Sequence, residues 1–98
     1  MGLVLAELAP ERSTQILQRA RAFGESRLVC GVHTRSGIET GRTNASIMVA
    51  GLHGVAEFCA DLEAARTEVD AARKTGPAPD PVACTAEAGD FSMYLPGD

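Results

Sequence analysis

The sequence has few aromatic residues and almost no lysine: its 98 residues include no tryptophan, one tyrosine, three phenylalanines and a single lysine. With so few large aromatic side chains, a hydrophobic core must come mainly from leucine, valine, isoleucine and alanine, which favours packed helices over a β-sandwich. The formal net charge of −4 argues against a nucleic-acid-binding protein that depends on a general positive field. The length suits one small domain.

Long apolar runs are also missing. No stretch reaches the length of a membrane span, and residues 1–10 lack the basic start and apolar centre of a secretion signal. We therefore expect no membrane span, and a cytoplasmic location for the chain expressed as given. The spacing of Cys30, Cys59 and Cys84 is not that of a zinc site. We expect no metal and no cofactor, and we interpret the three cysteines as buried, inert thiols.

Apolar residues recur at helical spacing along most of the chain, which predicts an all-α fold: a partial helical bundle of three to four helices. The predicted helices cover residues 3–8, 10–32, 38–52 and 55–74. Residues 76–98 contain four prolines and three glycines, and we predict an irregular C-terminal tail there. The apolar side chains near its end either dock on the bundle or belong to a disordered terminus.

Charge is distributed unevenly along the sequence. Residues 11–42 contain six arginines and three glutamates, whereas residues 57–98 contain nine acids and three bases. One interpretation is two solvated faces of opposite sign, and the other is a local anion site in the first half. Arginine suits the second interpretation because its planar fork makes bidentate contacts with phosphate.

A Ser26-Arg27 pair, five residues and then His33 span a predicted helix end that is rich in glycine. Arg27 could bind an anion there, and a neutral His33 in the following turn could act as a base or as a nucleophile toward phosphorus. Backbone donors near Gly37 and Ile38 could complete an anion cradle at the start of the next helix. The alternative is that the two residues are a helix cap and a surface side chain.

The segment Phe-Gly-Glu-Ser-Arg-Leu-Val-Cys-Gly-Val-His over residues 23–33, with Gly41-Arg42 after it, resembles the third signature of the bacterial class A non-specific acid phosphatases. These enzymes belong to the type 2 phosphatidate phosphatase and vanadium haloperoxidase superfamily. The similarity extends over residues 3–85. It implies that residues 1–75 are the C-terminal part of a helical acid phosphatase domain, followed by a Pro/Gly-rich tail at 76–98.

The resemblance implies hydrolysis of phosphomonoesters through a phosphohistidine intermediate. In this family the histidine that matches His33 attacks phosphorus, and the arginine that matches Arg27 holds the phosphate oxygens. Ser26 either lies beside the site or packs within the helix. The implied ligand is a small phosphomonoester or inorganic phosphate, with no nucleic acid, and the implied location is the periplasm.

Two departures from the family pattern affect the expected activity. The family has an aspartate that orients the nucleophilic histidine, and Gly37 stands in its place, so Glu39 is the candidate replacement. The family's Lys and Arg-Pro signature and its Pro-Ser-Gly-His signature do not occur in these 98 residues, and the other histidine, His53, is predicted to be a helix-end or surface residue. We expect a truncated and poorly active fragment. The alternatives are a half-enzyme completed by another chain, or a non-catalytic helical module that self-associates or binds a partner through an exposed apolar helix face.

Overall fold

The computed structural model describes residues 1–91, and most of them are helical. The elements in chain order are α1 (Gly2–Leu8), a 3-10 turn (Pro10–Arg12), α2 (Ser13–Val29), α3 (Arg35–Leu52), α4 (Ala56–Thr75) and α5 (Pro81–Phe91). No strand occurs within residues 1–91. The predicted all-α fold is therefore confirmed, with helix boundaries close to those expected from the apolar spacing.

Helix α1 lies at the centre of the fold, where it contacts α2, α3 and α4. The most buried side chains are Leu8 and Ala9 at its C-terminal end, Ala22 of α2 and Leu62 of α4. This core is small, and many large apolar side chains stay exposed, including Phe23, which is 60% exposed. Polar contacts between helices accompany this small core.

Glu7 joins α1 to the corner between α3 and α4. Its backbone carbonyl accepts hydrogen bonds from Nε and Nη2 of Arg66 in α4, at 3.3 and 3.1 Å. Its carboxylate Oε1 lies 2.6 Å from Nε2 of His53, whose ring stacks edge-on against Phe58 with the centroids 5.5 Å apart. His53 ends α3, as the sequence predicted. Arg66 thus satisfies the Glu7 carbonyl, which lies in the last turn of α1, where the helix itself leaves carbonyls unpaired.

Helix α5 corrects the prediction of an irregular tail for residues 81–91. The carboxylate Oδ1 of Asp80 accepts a hydrogen bond from the backbone N–H of Val82 at 3.0 Å, and Pro81 occupies the first position of the helix. Proline is favourable there because its missing N–H has no helical partner in any case. An ion pair of 3.0 Å between Glu87 and Arg19 holds α5 against α2. The predicted docking concerns the side chains of Phe91, Met93, Tyr94 and Leu95, which lie outside the part of the chain whose side chains the structure describes.

The cysteines are also more accessible than predicted. Cys30 and Cys84 are exposed, because the end of α2 and the solvent face of α5 lie away from the core, so their interpretation as buried thiols was wrong. Cys59 is half-buried, and its thiol donates to the carbonyl of His53 at 3.4 Å. All three are free thiols. Within the described part of the chain, no single helix is long and apolar enough to cross a membrane; only α3 and α4 together, bent by 99°, have the length and composition.

Candidate functional site

The C-terminal end of α2 fixes the backbone between Arg27 and His33. The N–H of Gly31 donates to the carbonyl of Leu28 at 3.0 Å, and the N–H of Val32 donates to the carbonyl of Arg27 at 3.2 Å. These two bonds form a Schellman motif, which requires a left-handed residue after the helix. Gly31 is that residue, with φ of +74°. The residue that precedes His33 is therefore hydrogen-bonded directly to Arg27.

Helix α3 begins immediately after His33, and Thr34 caps it. The Thr34 hydroxyl accepts a hydrogen bond from the N–H of Gly37 at 3.1 Å, and the Thr34 carbonyl accepts from the N–H of Ile38 at 3.1 Å. The backbone donors of Gly37 and Ile38, predicted as an anion cradle, are thus already occupied, because the threonine cap competes for them. The N–H groups of Arg35 and Ser36 have no acceptor among residues 1–91.

The structure places Arg27 and His33 at opposite ends of one tight turn. Arg27 lies in the last turn of α2, where it is half-buried, and His33 is exposed between the Schellman motif and the Thr34 cap. The Arg27 guanidinium and the His33 imidazole make no hydrogen bond or ion pair to any other described residue. A half-buried guanidinium without a protein partner is able to bind an external oxyanion.

The two remaining predicted residues have other contacts. The Ser26 hydroxyl donates to the carbonyl of Phe23 at 2.6 Å, within its own helix. This bond fits the alternative in which Ser26 packs in the helix, and a contact with phosphate stays a prediction. The Glu39 carboxylate lies 3.2 Å from Arg42 and 3.9 Å from Arg35. Its role in orienting His33 likewise stays a prediction.

Sequence reasoning missed Glu25, which sits at the junction of α2 and α3 with only 16% of its side chain exposed. Its two carboxylate oxygens each lie 3.3 Å from one guanidinium, Oε1 from Arg42 and Oε2 from Arg35. Gly24 permits this approach, because a Cβ there would lie 3.0 Å from Nη2 of Arg42. The arginines cross from another helix, so the spacing of residues in the sequence gives no direct signal of the contact.

Among residues 1–91, Arg27 is the arginine at this junction that makes no ion pair with a carboxylate. Arg35 and Arg42, which contribute to the excess of positive charge in residues 11–42 of the sequence, form ion pairs with Glu25 and Glu39. The hydrogen bond from Arg42, together with the nearby Arg35 charge, holds the pKa of Glu25 below its ordinary value. The carboxylate therefore stays ionised in mildly acidic solution, and the junction keeps its ion pairs there.

Comparison with known proteins identifies acid phosphatases as relatives. The chain is 45% identical over 87 residues to an acid phosphatase of Zymomonas mobilis subsp. mobilis, and the aligned region makes up 89% of this chain and 33% of that protein. It is 42% identical to a non-specific acid phosphatase of Providencia stuartii over 68% of this chain and 27% of that protein. A non-specific acid phosphatase of Salmonella typhimurium is 34% identical over 71% of this chain and 28% of that protein.

The chain spans about a third or less of the length of these curated relatives. No family model matches the chain, and no solved structure matches it. The alignment with the Zymomonas mobilis protein covers most of the chain, including α2, the turn that carries His33, and α3. These relatives belong to the same family that the sequence resemblance indicated. The chain is therefore a member of the acid phosphatase family over the part that it shares with these relatives.

Proposed function

We propose that this chain carries the phosphate-binding arginine and the nucleophilic histidine of a phosphomonoesterase. The observation that supports this most directly is the unpaired, half-buried guanidinium of Arg27, whose own carbonyl is hydrogen-bonded to the residue before His33. Inorganic phosphate or the phosphate of a small ester is the ligand. Arg27 holds two non-bridging oxygens through its fork, and the free N–H groups at the start of α3 add weaker attraction.

The reaction follows from these two groups. A neutral ring nitrogen of His33 attacks phosphorus, so that an N–P bond forms as the bond from phosphorus to the ester oxygen breaks. The departing oxygen takes a proton from solvent water and leaves as an alcohol. Water then attacks the phosphohistidine, which releases phosphate and returns the imidazole. Arg27 stabilises the charge that develops on the phosphoryl oxygens in both steps.

These 98 residues alone turn over substrate slowly in this proposal. Gly37 has no side chain with which to orient His33, and a neighbouring carboxylate is worth several powers of ten in rate where it orients a catalytic histidine. The Pro-Ser-Gly-His sequence, which by resemblance to the class A enzymes supplies the proton to the leaving alcohol, does not occur here. The class A assignment, its wider superfamily and a periplasmic location are proposed on that resemblance.

Hydrolysis of a chromogenic phosphomonoester by the purified chain tests the proposal. We expect slow turnover that His33→Ala and Arg27→Ala abolish. Arg21→Ala is the matched control for Arg27, because Arg21 is an exposed arginine of the same helix, and His53→Gln is the control for His33. Both controls retain the wild-type rate. Turnover that survives His33→Ala, or a chain that neither turns over the ester nor binds inorganic phosphate, contradicts the proposal.

A second candidate function rests on the exposed apolar side chains. Phe23, Ile47 and Met48 are each at least 60% exposed, which is unusual for large apolar residues on one small domain. A second polypeptide, or a second copy of this chain, that covers them would make the chain a half-enzyme or a helical interaction module. Sedimentation of the purified chain tests this: association is expected, and a stable folded monomer contradicts it.

A further inference from the structure

The ion pairs around Glu25 link the two helices that carry the proposed site. Glu25 lies two residues before Arg27 in α2, and its partner Arg35 lies two residues after His33 in α3. Its other partner, Arg42, lies two turns further along α3 and also contacts Glu39. The carboxylate of Glu25 therefore spans the base of the turn that holds His33.

Backbone contacts alone do not fix the angle between α2 and α3. The Schellman motif ends at Val32 and the Thr34 cap begins two residues later, so His33 is the point at which neither motif restrains the chain. A rotation there would move α3 as a rigid body and change the position of the His33 imidazole relative to Arg27. The contacts of Glu25 with Arg35 and Arg42 of α3 oppose this rotation, and each is within hydrogen-bonding distance.

The burial of Glu25 distinguishes this network from an ordinary surface ion pair. Its side chain is 16% exposed, whereas Glu63, which pairs with Arg66 within α4, is 70% exposed. Exposed pairs contribute little because water screens them and the side chains lose rotamer freedom. A carboxylate that is largely shielded and held by two guanidinium groups restrains geometry more strongly.

We propose that Glu25 is a positioning residue that sets the separation between Arg27 and His33 by holding Arg42 and Arg35 of α3. This rests on the proposed function, because a positioning role has meaning only where the two side chains share a ligand. Glu25 does not touch the phosphate. It acts through the orientation of α3, and Gly24 beside it supplies the space that Arg42 needs.

The experiment compares the wild-type chain with Glu25→Gln, and with Glu63→Gln as the matched control. NMR relaxation of the backbone amides at residues 30–34 measures how firmly the turn is held, and titration with inorganic phosphate, followed at the His33 ring, measures binding. Glu25→Gln is expected to increase the mobility of the turn and to weaken phosphate binding about tenfold or more, since small misplacements of a binding group are costly. Glu63→Gln is expected to change neither quantity. Glu25→Asp, which retains a carboxylate, is expected to restore part of the affinity.

The outcomes separate the positioning role from the proposed function. A wild-type chain that shows no saturable phosphate response at His33 refutes the proposed function, and the mobility of residues 30–34 still decides whether Glu25 holds the turn. Unchanged mobility and affinity in Glu25→Gln overturn the positioning role. If Glu25→Gln does not fold, Arg35→Gln removes one exposed contact of the network, and the same two measurements decide the question.

Discussion

Substitution of Gly31 by alanine tests the turn on which the site depends. Gly31 has a φ of +74°, and a Cβ built there meets no atom within 4 Å. The cost of the substitution therefore comes from the local backbone conformation and includes no clash with other parts of the protein. An L-residue in the left-handed region costs about 1 kcal/mol or slightly more. Relief of that cost requires the Schellman motif to open, which would release the hydrogen bond between Val32 and Arg27.

Gly41→Ala provides a matched control of opposite sign. Gly41 lies inside α3, and a Cβ there also meets no atom within 4 Å. Alanine in a helix interior is better than glycine by about 0.5–1 kcal/mol, so this variant is expected to be more stable. For a domain of this size each kilocalorie per mole shifts the melting temperature by about 4–8 °C, which far-UV circular dichroism resolves. A Gly31→Ala variant as stable as Gly41→Ala would refute the assignment of the turn.

The remaining predictions concern other contacts. Asp80→Ala is expected to cost about 1 kcal/mol and to speed amide exchange in α5, since the N-cap is lost; unchanged exchange there would contradict it. Arg66→Gln is expected to cost about 1–2 kcal/mol in urea unfolding, because it removes the donors to the Glu7 carbonyl. Arg73→Gln, which removes an exposed pair with Glu11, is expected to cost less. The pKa of Glu25 is lowered in the folded state. Its contribution to the free energy of unfolding is therefore present at neutral pH and is lost as the pH falls below the ordinary glutamate value of about 4.3. A Glu25→Gln variant whose stability has the same acid dependence as that of the wild type would contradict this.

The positions of α1 to α4 followed from the sequence because apolar residues recur at helical spacing along each of them. The stripe of Leu3, Val4, Leu5 and Leu8 predicted α1, and the structure places that helix at the centre. The prediction failed at α5, where proline content outweighed the Asp80-Pro81 pair. An aspartate followed by proline is a helix start, so the signal was present but was interpreted as a helix end.

The candidate site was predictable only where it is local. The spacing from Arg27 to His33 has a physical basis: it is the length of a Schellman motif plus one residue before the next cap. Glu25 could not be assigned in this way, because its partners approach across a helix–helix contact whose angle the sequence does not encode locally. The same contact pairs two of the six arginines of the first half, Arg35 and Arg42, with a carboxylate.

The proposed function requires Arg27 and His33 to bind one oxyanion together. Titration of the wild-type chain with inorganic phosphate, followed by NMR at the Arg27 side-chain N–H and the His33 ring in the same samples, measures this directly. We expect both signals to shift and to saturate with one dissociation constant, and we expect Arg27→Ala to remove the response at His33. A response at only one of the two side chains, or at neither, would contradict it.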